Sequence, residues 1–178
     1  MTDDNRLAEI EARLATLEAK DEIRALAIRY GEVVDNQVEH ELRELFTDDA
    51  RWAWANGKVD ARGIDEVLDA LTTRWTMIDA SLHVVQGHHI SVDEHNARQA
   101  CGVLFSHAEV LLEGRPQVSA LRYDDTYRSV DGSWRFAERV LSFFYFVDAG
   151  AYAEELSSGR PVRLGPQPWP SDFPTPAT

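Results

Sequence analysis

Residues 117–147 read QVSALRYDDTYRSV, then Asp131-Gly132, then SWRFAERVLSFFYFV. Two long alternating runs joined by an Asp-Gly pair predict a β-hairpin. The same period of two extends back through ARQACGVLFSHAEVLLE (97–113) and SLHVVQGHHISVD (81–93), with breaks at EHN and GRP. From residue 81 onward the expectation is four long antiparallel strands, 81–93, 97–113, 117–130 and 133–147.

Upstream the period is that of a helix. Leu7, Ile10, Leu14 and Leu17 recur at three and four residues, and Ile23, Leu26, Ala27 and Tyr30 resume the pattern. They predict one long amphipathic helix over about 4–34. Its first part, about 1–20, reads as a helical arm that packs on the body or on another subunit. A short helix at 38–46, a strand in ARWAWA, an NGK turn and a third helix at 63–75 follow. Helices first and an antiparallel sheet after them define an α+β fold. A sheet of such long strands must curl. Helices on its concave side would close a cone-shaped α+β barrel with a pocket at the open end. The expected domain is 1–148, followed by a Pro-rich tail, 149–178. Six of the seven prolines lie in RPVRLGPQPWPSDFPTPAT, which excludes regular helix or sheet there. Trp169 and Phe173 in that tail read as docking residues.

The chain has 178 residues, enough for one domain with a sizeable core. Its formal charge is −13, from 31 acids and 18 bases. That excess argues against nucleic acid and anionic membrane as partners, since both need a basic surface. Cys101 is the single cysteine, so no internal disulfide or Cys-based zinc cluster is expected. The N-terminal MTDDNRLAEIEARL is acidic and amphipathic, unlike a signal peptide, and SFFYFV is too short to span a bilayer. A cytoplasmic location is the expectation.

Asp35 follows the apolar pair Val33-Val34 at the end of the long helix. Alone it reads as a helix-end or Asx-turn residue. Tyr30 lies five residues earlier, about 140° away on an ideal helix, and alone reads as a core aromatic. His83 shares a strand face with Ser81 and Val85, and Gly87 marks a potential bulge. A His and an Asp meeting in one pocket would form a base and its orienter. His83, His88, His89 and His107 lack a metal-site signature, and no Gly-rich phosphate loop is present. The expected cofactor is none. Arg139 shares its odd-numbered strand face with Ala137, Leu141, Phe143 and Tyr145. It either snorkels outward or points into the pocket to steady negative charge. Trp52, Trp54, Phe105 and Phe143 read as core residues, some of them lining an apolar cavity.

Together, KDEIRALAIRYGEVVDNQ, LRELFTDDARWAW, SLHVVQGHHISVD and YDDTYRSVDGSWRFAERV resemble the SnoaL-like branch of the nuclear-transport-factor-2-like superfamily, over roughly 18–148. Within that branch the chain resembles the cofactor-free lyases: scytalone dehydratase, bile-acid 7α-dehydratase and hexachlorocyclohexane dehydrochlorinase. That resemblance implies a His83–Asp35 dyad as general base, assisted by Tyr30, with Arg139 matching an active-site Arg of the dehydrochlorinase. The bile-acid enzyme has an acid near the segment Phe105-Ser106-His107, and His107 is the candidate to replace it. Trp54, Phe105 and Phe143 would contact the substrate. The implied reaction is elimination of water, or of a carbon fragment such as formaldehyde, from a hydroxylated aromatic, polyketide or steroid-like molecule. Two rivals stand beside it: a ketosteroid-isomerase-like proton shuttle, and a non-catalytic ligand-binding or dioxygenase-small-subunit-like module. The resemblance also implies a homo-oligomer, trimer ahead of dimer.

Overall fold

The computed structural model describes residues 3–165 and 167–173. Helix α1 spans Asp3–Asp35, α2 Glu39–Glu44 and α3 Ile64–Trp75. The strands are β1 Phe46–Trp54, β2 Asp60–Arg62, β3 Ile78–Val92, β4 Gln99–Leu112, β5 Arg115–Val130 and β6 Ser133–Asp148. They form one sheet in the order β2-β1-β6-β5-β4-β3. The β1–β6 pair is parallel and the other pairs are antiparallel, so the sheet is mixed. β2 and β3 are its free edges. The expected α+β architecture holds, with the curved sheet wrapped around the helices.

The four strands lie where their alternation predicts, with starts displaced from the expected ones at β3, β4 and β5 and matching at β6. Asp131 and Gly132 close the β5–β6 hairpin with φ of 51° and 80°, as an Asp-Gly turn of that type requires. The short strand β2 is too brief to leave a period in the sequence. α3 begins at Gly63, whose φ of 81° favours glycine. Its N–H donates to the Ala50 carbonyl and ties the helix to β1. After β6 the chain makes a 3-10 turn at Ala149–Ala151 and helix α4, Tyr152–Ser157, elements for which the sequence reading made no provision. Beyond them the described residues of the Pro-rich segment make only isolated bridges, Phe146 to Val162 and Val162 to Trp169.

Even-numbered residues of β4 and odd-numbered residues of β5 face the helices. They carry Leu104, Ala108, Leu121, Tyr123 and Tyr127 into the core. Register shifts reset this parity elsewhere. In β3 the register shifts between Val85 and Gly87, so Ser81, His83 and Val85 face inward and then His88 and Ile90 do. In β6 the shifts fall at Ala137 and Phe144. The inward set becomes Phe136, Arg139, Leu141, Phe143 and Phe146. Ala137 and Tyr145 therefore leave the face that uninterrupted alternation gave them. No helix among the described residues is long and apolar enough to cross a membrane.

Candidate active site

α1 ends in a Schellman turn. Val38 N–H donates to Val33 O and Gln37 N–H to Val34 O, with Gln37 at a φ of 56°. That makes Asp35 the last helical residue. A carboxylate there opposes the helix dipole, so its place needs another explanation. β3 provides it. Ser81 Oγ donates to Asp35 Oδ1 at 2.7 Å, the His83 backbone N–H to Oδ2 at 2.8 Å, and His83 Nδ1 lies 2.6 Å from Oδ1. Burial alone would push the Asp35 carboxyl up. The hydrogen bonds from His83 and Ser81 outweigh it and hold the group below the usual carboxylate range.

An ionised carboxylate only accepts. Nδ1 of His83 must therefore carry the proton of that short contact. In the neutral ring, Nε2 is then the bare nitrogen, in the tautomer a general base needs. α1 approaches β3 closely because residue 31 is glycine. A Cβ built there would sit 3.3 Å from the Cβ of His83. The signal for this in the sequence is a glycine inside the helical run, Tyr30-Gly31 before EVVD.

Tyr30 and Asp35 do not converge, and the helix stays regular to Asp35. His83 spans the gap instead. It meets Asp35 at the sheet edge and lines a cavity that Tyr30 also lines. The cavity measures about 100 Å³. Its walls include Trp52 and Trp54 from β1, Arg74 and Trp75 from α3, Tyr123 from β5 and Phe143 from β6. Burial raises the Tyr30 and Tyr123 hydroxyls above the normal tyrosine range, so both stay protonated at neutral pH. The tail contributes as well. Leu164 lines the cavity, and Trp169 stacks on Trp54 with centroids 5.7 Å apart. Asp172 accepts the Phe143 N–H at 2.8 Å. Trp169 thus docks as its sequence context suggested, and Phe173 stacks on Phe144.

Three expected substrate contacts fall elsewhere. Phe105 and His107 are odd-numbered in β4 and lie on the sheet's other face. Phe105 is exposed beside Phe144, and His107 Nε2 pairs with the Tyr145 hydroxyl at 2.8 Å. His107 therefore does not replace the missing acid. The inward residue is Ser106, whose hydroxyl donates to the Val84 carbonyl. Arg139 is wholly buried but does not line the cavity. Asp125, its register partner on β5, takes two hydrogen bonds from it at 2.9 Å each. The rings of Tyr30, Tyr123 and Phe136 enclose its guanidinium at 4.2, 4.2 and 4.0 Å. Arg139 is thus a charge behind the cavity wall, held by a carboxylate and three rings. Trp54 and Phe143 do line the cavity, as expected.

A second His enters the same buried network. Tyr127 donates to Asp125 at 2.8 Å, so His88 Nε2, 3.0 Å from that hydroxyl, is the donor to it. Gly102 leaves room for this pair, since a Cβ there would approach Tyr127 and His88 at 3.2 and 3.3 Å. Among the described residues, no group of three or more His, Cys, Asp or Glu side chains is arranged to hold a metal ion.

A family model described as a SnoaL-like domain matches residues 15–140. Solved structures share the fold. A protein from Novosphingobium aromaticivorans provisionally described as a scytalone dehydratase is 24% identical, with 75% of this chain and 89% of that chain covered, at a TM-score of 0.69. Hexachlorocyclohexane dehydrochlorinase LinA-type3 from Novosphingobium barchaimii is 22% identical over 78% and 95%, at a TM-score of 0.69. An NTF2-like protein with a cystatin-like fold from Novosphingobium aromaticivorans is 26% identical over 83% and 95%, at a TM-score of 0.62. No curated protein matches the chain.

Proposed function

The chain belongs to the SnoaL-like domain family, and within it we propose a cofactor-independent lyase whose general base is His83, oriented by Asp35. Structural neighbours described as a dehydratase and a dehydrochlorinase fit a lyase or isomerase type of chemistry. The observation that carries the reading is the 2.6 Å contact between His83 Nδ1 and Asp35, on a residue that also lines the cavity.

The chemistry follows from those groups. His83 Nε2 removes a proton from a carbon acidified by a neighbouring carbonyl or ring. The C–H electron pair becomes the new double bond as the C–O bond breaks. The leaving oxygen takes a proton from the imidazolium, directly or through Tyr30, which the imidazolium then reprotonates, and departs as water. With a hydroxymethyl substrate the proton comes from the hydroxyl instead. The C–C bond then breaks, formaldehyde leaves, and the imidazolium reprotonates the ring carbon. Asp35 stabilises the imidazolium in both routes, and the general-base step is worth roughly 10²–10⁴ in rate. A cavity of about 100 Å³ is smaller than the roughly 150 Å³ that takes a benzene ring and far smaller than a steroid needs. The volume therefore favours a single-ring hydroxylated aromatic over a steroid-like substrate.

The test is turnover of hydroxylated monocyclic aromatics by wild type and His83→Ala, with product mass recorded. The expected result is loss of one water or one formaldehyde, reduced by about 10²-fold or more in the variant. Unchanged turnover by folded His83→Ala removes His83 from the reaction. A product of unchanged mass assigns the protein to proton shuttling instead.

A further inference from the structure

The cavity holds one cation and, among the described residues that line it, no carboxylate. The cation is Arg74, in the last turn of α3. Its guanidinium lies 5.1 Å from the Trp52 ring centre and 4.8 Å from that of Trp54. One nitrogen donates to the Ala70 carbonyl on its own helix. No acid among the described residues pairs with it, whereas Arg51, Arg128, Arg139 and Arg163 each have one. Burial lowers its pKa, so the charge is held at a cost. Both Trp52 and Trp54 line the cavity; the indole N–H of Trp54 is buried without an acceptor, and that of Trp52 has only the Tyr30 hydroxyl near it. Buried donors left unpaired are expensive. Donors in excess, in the cavity that the base also lines, call for a ligand that brings acceptor oxygens and negative charge.

We propose that Arg74, with the Trp52 and Trp54 indoles, forms an anion subsite, and that the substrate is an aromatic carboxylate or another single-ring anion. This rests on the reading of the cavity as the active site. The aromatic ring would lie among Trp54, Leu141 and Phe143, with its carboxylate toward Arg74. The probe pair is benzoate and its neutral isostere benzamide, titrated against tryptophan fluorescence. Wild type should bind benzoate at least about tenfold more tightly. Arg74→Met should abolish that preference and Arg74→Lys should keep part of it, with circular dichroism reporting the fold of each. His83→Ala should retain the preference, which separates this subsite from the catalytic reading. Equal binding of the two probes by wild type, or a preference that survives in folded Arg74→Met, overturns the subsite.

A different observation carries a second inference, at the far end of α1. Leu7, Ile10, Leu14 and Leu17 follow the a and d spacing of a heptad and are 52–63% exposed. The residues that bury α1 against the body are Ile23, Leu26, Ala27, Tyr30, Val33 and Val34. At 100° per residue the two stripes lie about 180° apart around the helix. The arm's stripe therefore faces away from its own body. In this register the g positions are Arg6, Arg13 and Lys20, and the e positions are Asp4, Glu11 and Glu18. Parallel copies bring Arg6 against Glu11 and Arg13 against Glu18 of the neighbour. Antiparallel copies would oppose base with base and acid with acid. Flanking charges of this kind set partner and orientation in coiled coils.

We infer that the arms of neighbouring copies of this chain pack as a parallel coiled coil. The test places Leu7→Cys in a Cys101→Ser background under mild oxidation. Parallel arms set the new thiols side by side and give a disulfide-linked dimer. Antiparallel arms would put position 7 opposite position 17, roughly 15 Å away. Light scattering on Arg6→Glu/Arg13→Glu should show weakened assembly, restored by adding Glu11→Arg/Glu18→Arg. A monomeric wild type, or an oligomer that forms no position-7 crosslink, overturns the inference.

Discussion

Gly31 is an interior helix residue where alanine would be favoured by about 1 kcal/mol. Its place is explained by the 3.3 Å that separates a Cβ there from His83 Cβ. Gly31→Ala should therefore lower turnover by displacing His83 from Asp35, with little change or a gain in helix content. Kinetics beside circular dichroism would check it, and unaltered kinetics would show that β3 yields freely. His88 is a second local test. Burial drops its pKa to about 4, with Arg139 and Arg24 acting the same way and Asp125 opposing them. The unfolded chain takes up that proton near pH 6.5, before the folded one does. Between pH 6.5 and 4 the unfolded state binds more protons, so stability falls as pH falls. Asp35, whose folded pKa is depressed, loses its contribution only as the pH drops further, through that lowered value. Urea midpoints at pH 7.5 and pH 5 should differ, and less so in His88→Gln. The residue pair itself was legible in the sequence only through the family pattern, because the spacing from Tyr30 to Asp35 leaves their side chains diverging.

At the scale of elements, the long strands and α1 were legible because each repeats its period over more than ten residues. The bulges were not. Gly87 hinted at the one in β3, but nothing in SWRFAERVLSFFYFV marks the shifts at Ala137 and Phe144. Arg139 shows the consequence. Its inward direction and its partner depend on a bulge and on the register with β5, both of which are tertiary facts. β4 failed differently. Its alternation runs unbroken, but a period alone does not say which parity faces inward, and His107 and Phe105 fell on the other face. The β5–β6 cross-strand pair of Asp125 and Arg139 makes its own prediction. Arg139→Met leaves a buried carboxylate without its cation and should destabilise the fold by about 3–5 kcal/mol. Asp125→Asn/Arg139→Met should cost less than Arg139→Met alone. A double-mutant cycle from urea denaturation measures the difference.

For the whole molecule, one curved sheet meets two different needs. Its concave face and α3 enclose the cavity, while its edge strand β3 brings His83 to the end of α1. In the tail, Trp169, Asp172 and Phe173 then pack against β6 and β1. The α+β class and the helices-inside arrangement followed from element order. The cavity's cation did not, because Arg74 is one of many charged residues in the sequence until α3 is seen to end at the cavity wall.

The central claim is that Asp35 fixes His83 as a base with a bare Nε2. Long-range ¹H–¹⁵N correlation of the His83 ring reads this directly and needs no substrate. The account predicts that the neutral form of the ring carries its proton on Nδ1, with Nε2 at the shift of an unprotonated nitrogen, and loss of that bias in Asp35→Ala. A neutral ring protonated at Nε2 in the wild type would contradict it.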